Sequence, residues 1–107
     1  MSEEIKKKHI AILGSTGSIG TQALEVMEEQ PDHFVVEVLT AGNNFELLIK
    51  QALQFKPNAV VIGNEAHFEA VRDALWDADI KVYAGAEALT QVVEMEEIDI
   101  VLTALVG

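Results

Sequence analysis

Gly14-Ser15-Thr16-Gly17-Ser18-Ile19-Gly20 is the stretch that decides the fold. It follows the apolar run His9-Ile10-Ala11-Ile12-Leu13, which reads as a buried strand. After it the period changes, and Ile19, Ala23, Leu24 and Met27 recur at helical spacing until Pro31 stops the pattern. A glycine-rich turn between a strand and a helix is where a dinucleotide-binding βαβ unit holds a pyrophosphate. Gly14 suits a tight turn that needs positive φ. Gly17 lets the backbone approach the phosphates without a Cβ in the way, and Gly20 lets the helix pack close to the strand. The free N–H groups and dipole of the helix start then attract the anion. The spacing is G-x-x-G-x-x-G rather than G-x-G-x-x-G, so the weight rests on the strand–turn–helix context. The alternative is a tight βα turn that binds nothing.

Outward from this turn, strand-length apolar runs alternate with helical patterns. Residues 34–40 form a second strand, closed by Ala41-Gly42. Phe45, Leu48, Ile49, Ala52 and Leu53 form the stripe of a second helix, with Asn44 as its N-cap. A loop at Lys56-Pro57-Asn58 leads to a third strand at residues 59–62. Phe68, Val71 and Leu75 mark a third helix, residues 80–83 a fourth strand, Leu89, Val92 and Val93 a fourth helix, and residues 98–102 a fifth strand. Strict alternation implies parallel strands joined by right-handed crossovers. Strands that are apolar almost throughout imply a sheet covered on both faces. The expectation is an α/β fold, a Rossmann-type doubly wound parallel sheet of order 3-2-1-4-5, with residues 1–107 as one dinucleotide-binding domain. The sequence ends at Thr103-Ala104-Leu105-Val106-Gly107, directly after an apolar strand, which reads as a piece of a longer enzyme.

The net charge of −11, with only seven Lys and Arg, argues against a nucleic-acid binder, which needs a basic face. The acids Glu25, Glu28, Glu29, Glu94, Glu96 and Glu97 fall where helices should face water, and Lys6-Lys7-Lys8 reads as a solvated lead-in. No apolar run approaches the roughly 20 residues that span a bilayer. The first residues lack the apolar segment of a signal peptide, and there is no cysteine, so a cytoplasmic protein is expected.

The end of the second strand bears on cofactor choice. Proteins that prefer NAD usually carry an acid there, on the ribose hydroxyls. This chain has Thr40-Ala41-Gly42-Asn43-Asn44 instead. Without an acid to repel it, a 2′-phosphate can be received by Asn side chains and backbone N–H groups. Equally, Asn43 and Asn44 can serve only a turn and a helix cap.

Other candidates read as structural. His9, His33 and His67 are far apart and no pair has metal-ligand spacing, so each is taken as a surface or strand-edge histidine. Trp76 reads as partial core or interface filler, and Met27 and Met95 as packing residues. Ser15, Thr16 and Ser18 lack the G-x-S-x-G elbow of a nucleophile and read as phosphate contacts or helix caps.

The segments Ile12-Leu13-Gly14-Ser15-Thr16-Gly17-Ser18-Ile19-Gly20, Pro31-Asp32-His33-Phe34, Ala41-Gly42-Asn43-Asn44 and Ala104-Leu105-Val106-Gly107 together resemble the 1-deoxy-D-xylulose 5-phosphate reductoisomerase family. The resemblance runs over nearly the whole chain after the first few residues. It implies an NADP-dependent oxidoreductase of the methylerythritol phosphate route to isoprenoids. Such an enzyme rearranges and reduces a sugar phosphate with NADPH and a divalent metal, Mg or Mn, usually as a homodimer. It implies cofactor contacts at Thr16, Gly17, Ser18, Ile19, Gly42, Asn43 and Asn44, with Thr103 and Ala104 as lesser candidates. Some members carry a basic residue where Asn43 stands, which weakens any charge clamp here. The family's catalytic residues and metal-binding acids lie beyond residue 107, so this piece alone is expected to be inactive. Two other readings remain: the NADP-binding part of another reductase, such as a semialdehyde dehydrogenase relative, or a non-catalytic nucleotide-sensing module. A catalytic cysteine downstream, rather than metal-binding acids, would mark the semialdehyde dehydrogenase reading.

Overall fold

The structure, a computed structural model, describes residues 7–30, 32–94 and 98–103. The expectations for residues 1–6, Pro31, Met95, Glu96, Glu97 and residues 104–107 lie outside the described residues, as do those for the side chains of Leu89, Val92 and Val93.

Five parallel strands alternate with helices: β1 (Lys8–Leu13), α1 (Ser18–Glu29), β2 (Phe34–Ala41), α2 (Phe45–Phe55), β3 (Ala59–Ile62), α3 (Phe68–Ala74), β4 (Lys81–Ala84), α4 (Ala86–Val93) and β5 (Ile100–Thr103). The side-chain alternation of each strand serves two helical layers. On one face Ile10, Ile12, Leu39, Val60 and Ile62 pack with Leu24 of α1, Leu48 and Ala52 of α2, and Val71 and Leu75 beside α3. On the other, Ala11, Val38, Ala59 and Val61 pack with Ala88 of α4 and Ile98. The strands are apolar throughout their centre because both faces are covered, as expected of a doubly wound α/β sheet.

The observed order is β4-β3-β2-β1-β5. The 3-2-1 half agrees with expectation. Beyond it, β4 lies outside β3, and β5 takes the place beside β1 that the order 3-2-1-4-5 gave to the fourth strand. The reason is packing. Val71 and Leu75 join the same core cluster as Leu48, so α3 lies in the layer of α1 and α2. A right-handed crossover in that layer must step outward again. The direction reverses only at α4, which covers the opposite face. The sequence of β4 fits this place, since exposed Lys81 and Tyr83 alternate with half-buried Val82 and Ala84. Such alternation suits an edge strand with one wet face.

Three further readings change. Ile19 and Leu53 are 51% and 49% exposed and stand outside the core stripes assigned to them. Trp76 is 75% exposed, so it is not core. Glu37, in the middle of an apolar strand, is only 7% exposed. The β1–β2 register shifts there, with Ile10 opposite Val36 and Ala11 opposite Val38. This bulge leaves Glu37 free to accept from Asn58 Nδ2 at 2.9 Å and to meet His9 Nδ1 at 2.5 Å.

Lys56 ends α2 in the left-handed region, with φ 50°, and its N–H returns to the Ala52 carbonyl before Pro57 prevents continuation. Among the described residues, no helix is long and apolar enough to cross a membrane.

Candidate functional site

The sheet's switch point lies between β1 and β5, and the glycine turn stands at its carboxyl end. Gly14 has φ 83°, the left-handed value expected of it. Gly17 is the extended N-cap of α1, with φ −79° and ψ 175°. Gly20 has no room for a side chain, since a Cβ there would lie 2.4 Å from the Gly14 carbonyl oxygen and 2.6 Å from Ser15 Cα. The third glycine thus allows α1 to start directly against the turn it follows.

The helix start is open. Gly17 supplies no side-chain cap, and the N–H groups of Ser18, Ile19 and Gly20 take no backbone acceptor among the described residues. Gly17, Ser18 and Ile19 are exposed, and Thr16 is half-buried. Uncapped donors at a helix N-terminus form a seat for an anion. Ile19, exposed beside them, offers an apolar surface that the core does not use.

The hydroxyls of the turn divide. Thr16 and Ser18 remain accessible. Ser15 is 0% exposed and points inward, so it is neither phosphate contact nor cap, contrary to the expectation. Its Oγ donates to Gln51 Oε1 at 2.7 Å, and Gln51 Nε2 donates to the Ser15 carbonyl at 2.8 Å. Thr40, also buried, accepts from the Gly14 N–H through Oγ1 at 2.9 Å and from the Ser15 N–H through its carbonyl at 2.8 Å. Sequence reasoning missed Thr40 and Gln51. The available signal was a polar residue, Gln51, on the buried face of α2 between Leu48 and Ala52.

The loop after β2 lies along the same carboxyl edge. Gly42, Asn43 and Asn44 are exposed. A Cβ on Gly42 would meet nothing within 4 Å. Asn44 Oδ1 accepts from the Leu47 N–H at 3.3 Å, which makes it the N-cap of α2 as expected. Replacing Asn44 with Ala should cost about 1 kcal/mol, the usual value of such a cap. A urea titration checks this, and an unchanged midpoint would assign the helix start to other contacts.

Asn43 is held from one side. Asn64, in the loop after β3, uses Oδ1 to accept from the Ala66 N–H at 3.0 Å, so its Nδ2 faces Asn43. Asn43 therefore turns Oδ1 toward Asn64, at 3.0 Å, and its Nδ2 points away from that contact. His67 stacks on Phe45 at the start of α2, 4.4 Å between ring centres. The sequence reading did not find Asn64, because only the fold brings residues 43 and 64 together.

Thr103 ends β5 opposite Leu13 of β1, beside the turn, and Ala104 lies outside the described residues. Among the described residues, no group of three or more His, Asp or Glu is placed to hold a metal ion. A cavity of about 500 Å³ lies at the other end of the strands, lined by Asn58, Arg72, Trp76 and Tyr83 among others. It shares no residue with the glycine turn or the loop after β2, and the uncapped N–H groups lie at that turn.

A family model for 1-deoxy-D-xylulose 5-phosphate reductoisomerase matches residues 10–107. The protein of that name from Bacteroides fragilis is 62% identical over 104 residues, which is 97% of this chain and 27% of the relative. That from Agathobacter rectalis is 47% identical over 100 residues, 94% of this chain and 26% of the relative. The chain thus spans roughly a quarter of the length of the curated relatives it matches. Among solved structures, the reductoisomerase from Zymomonas mobilis in complex with NADPH superimposes with a TM-score of 0.90 at 29% identity, over 95% of this chain and 27% of that one. A DOX-P reductoisomerase in complex with NADPH, fosmidomycin and magnesium gives 0.88 at 28% identity, over 94% and 25%.

Proposed function

Because the chain belongs to the 1-deoxy-D-xylulose 5-phosphate reductoisomerase family, we propose that residues 1–107 are the NADPH-binding domain of such an enzyme. The whole protein then converts 1-deoxy-D-xylulose 5-phosphate to 2-C-methyl-D-erythritol 4-phosphate, as a cytoplasmic homodimer that uses Mg or Mn. Residues outside this segment carry the metal and the substrate, and the segment alone is inactive.

The observation that carries the cofactor reading is the uncapped start of α1 beside a turn without side chains in the way. NADPH, when bound, supplies the hydride for the reduction. The N–H groups of Ser18 and Ile19, with Gly17 before them and Thr16 alongside, hold the pyrophosphate. The stiffness of the turn, set by Thr40 and Gln51 from behind, keeps those donors aimed without a bound ligand to order them. Ile19 and Thr103 line the edge on either side of the turn. Gly42, Asn43 and Asn44 take the adenosine end. There Asn43 Nδ2 would serve as a donor to the 2′-phosphate, and the first turn of α2 would add its dipole.

No acid stands at positions 42–44, so NADPH is preferred over NADH. The net charge of −11 and a neutral Asn43 keep the preference modest, at about 1–2 kcal/mol, the size of one or two charge-assisted hydrogen bonds. Calorimetric titration of the full-length chain with each cofactor is the test. NADPH should bind roughly five- to thirtyfold more tightly. Equal affinities, or tighter NADH, would overturn this assignment of the loop after β2.

A further inference from the structure

We propose that Gln51 is a positioning residue of the cofactor site, a strut that locks the glycine turn to α2 and so sets the spacing between the two ends of the dinucleotide. The inference rests on the cofactor reading above and adds a residue that touches no cofactor itself.

Gln51 is 5% exposed, and its neighbours on the same helix face, Leu48 and Ala52, are fully buried. A primary amide in such surroundings is costly unless its donors and acceptor are used. Ser15 answers both ends of it: Nε2 reaches the Ser15 carbonyl at 2.8 Å and Oε1 receives the Ser15 hydroxyl at 2.7 Å. The carbonyl can only accept, so the orientation of the amide is determined. Ser15 itself is sealed from solvent, while Gly17 to Ile19, just beyond it in the chain, are exposed, and the N–H groups of Ser18 and Ile19 take no backbone acceptor among the described residues. The turn is therefore shaped from behind by Ser15 and used from the front by its amides.

Two elements grip the turn. Thr40 of β2 accepts from the Gly14 N–H through its hydroxyl and from the Ser15 N–H through its carbonyl, and so fixes the height of the turn along the strand. The pair of bonds from Gln51 comes from a helix, and it ties the turn to the element that also carries Asn44. Gln51 stands seven residues after Asn44, two helical turns along one face, which places the two about 10 Å apart along the axis. A movement of the turn relative to α2 changes the gap between the pyrophosphate donors and Asn43. A ligand that bridges both ends feels that change, and a ligand that occupies the Asn43 end alone does not.

This difference gives the test. Full-length wild type and Gln51→Leu are titrated with NADPH and with adenosine 2′-monophosphate, and thermal melting confirms that both fold. NADPH should bind about tenfold more weakly to Gln51→Leu, while adenosine 2′-monophosphate changes less than about twofold. If Gln51→Leu does not fold, Gln51→Met carries the same comparison. It keeps the length of the side chain and loses the donor to the Ser15 carbonyl, and the same selective loss of NADPH is expected. Unchanged NADPH affinity in the variant, or a parallel loss of both ligands, would overturn the positioning role while leaving the cofactor reading intact. Failure of wild type to bind either ligand would overturn both.

Discussion

Replacing Gly20 with Ala should destabilise this protein by about 3 kcal/mol and abolish measurable NADPH binding. In a free helix the change would be favourable by roughly 0.5–1 kcal/mol, because glycine is a poor helix former. Here the added Cβ would lie 2.4, 2.6 and 2.8 Å from the Gly14 oxygen, Ser15 Cα and Ser15 carbonyl carbon. All three are backbone atoms, so no side chain can swing away. Relief requires α1 to move off the turn, which draws Leu24 from the core, or the turn to move off Thr40 and Gln51, which breaks buried hydrogen bonds. Overpacking of this kind costs about 1–3 kcal/mol, and the loss of a buried hydrogen-bond partner about 1–3 more. Gly42 is the matched control. A Cβ there meets nothing within 4 Å, and its φ is not positive, so Gly42→Ala should stay within about 0.5 kcal/mol of wild type. Urea denaturation of the three proteins decides the matter. A Gly20→Ala variant within about 1 kcal/mol of wild type would mean that α1 is less tightly seated than the contacts require.

The second large effect is on cofactor choice. Asn43→Asp should weaken NADPH binding by about 2 kcal/mol, roughly thirtyfold, and leave NADH within a few-fold. The substitution is nearly isosteric. The carboxylate retains an acceptor for Asn64 Nδ2, which now lies 3.0 Å from Asn43 Oδ1, so the loop keeps its place. What changes is the atom turned outward: a donor amide becomes an anionic oxygen. Toward the 2′-phosphate this replaces an attraction with like-charge repulsion, which even at surface dielectric is worth a few kcal/mol at about 4 Å. Toward NADH the same oxygen can accept from the ribose hydroxyls, the usual arrangement in NAD-preferring relatives of the fold. Raising the salt concentration should shrink the difference, because the site is exposed and the repulsion is screened. If Asn43→Asp binds both cofactors as wild type does, the 2′-phosphate does not lie at this loop.

Gly20 and Asn43 differ in how much of their role the chain itself reveals. The roles of Gly14 and Gly20 are local: one turn geometry and one close approach between residues six apart. Both are legible in the order of residues, as are the N-cap at Asn44 and the alternation of strands with helices. Membership of the reductoisomerase family rests on agreement along residues 10–107, which is likewise a property of the string of residues.

Relations between distant segments were decided by the tertiary structure. The position of β4 depends on which layer α3 joins, and Val71 and Leu75 settle that only by contact with the Leu48 cluster. The alternation of Lys81, Val82, Tyr83 and Ala84 hints at an edge, but four residues are too few to outweigh the commoner order. Ser15 is ambiguous in the sequence because a serine in a phosphate-binding turn faces either the ligand or the core, and its partner Gln51 is 36 residues away. Asn64 is hidden for the same reason, lying 21 residues from the Asn43 it orients. Sequence by itself determined the elements and the turn, because those follow from periodicity and from backbone freedom at single positions. The fold alone decided which face of Ser15 is used, how Asn43 is aimed and where β4 and β5 lie, because each depends on side chains that meet only after the sheet has closed.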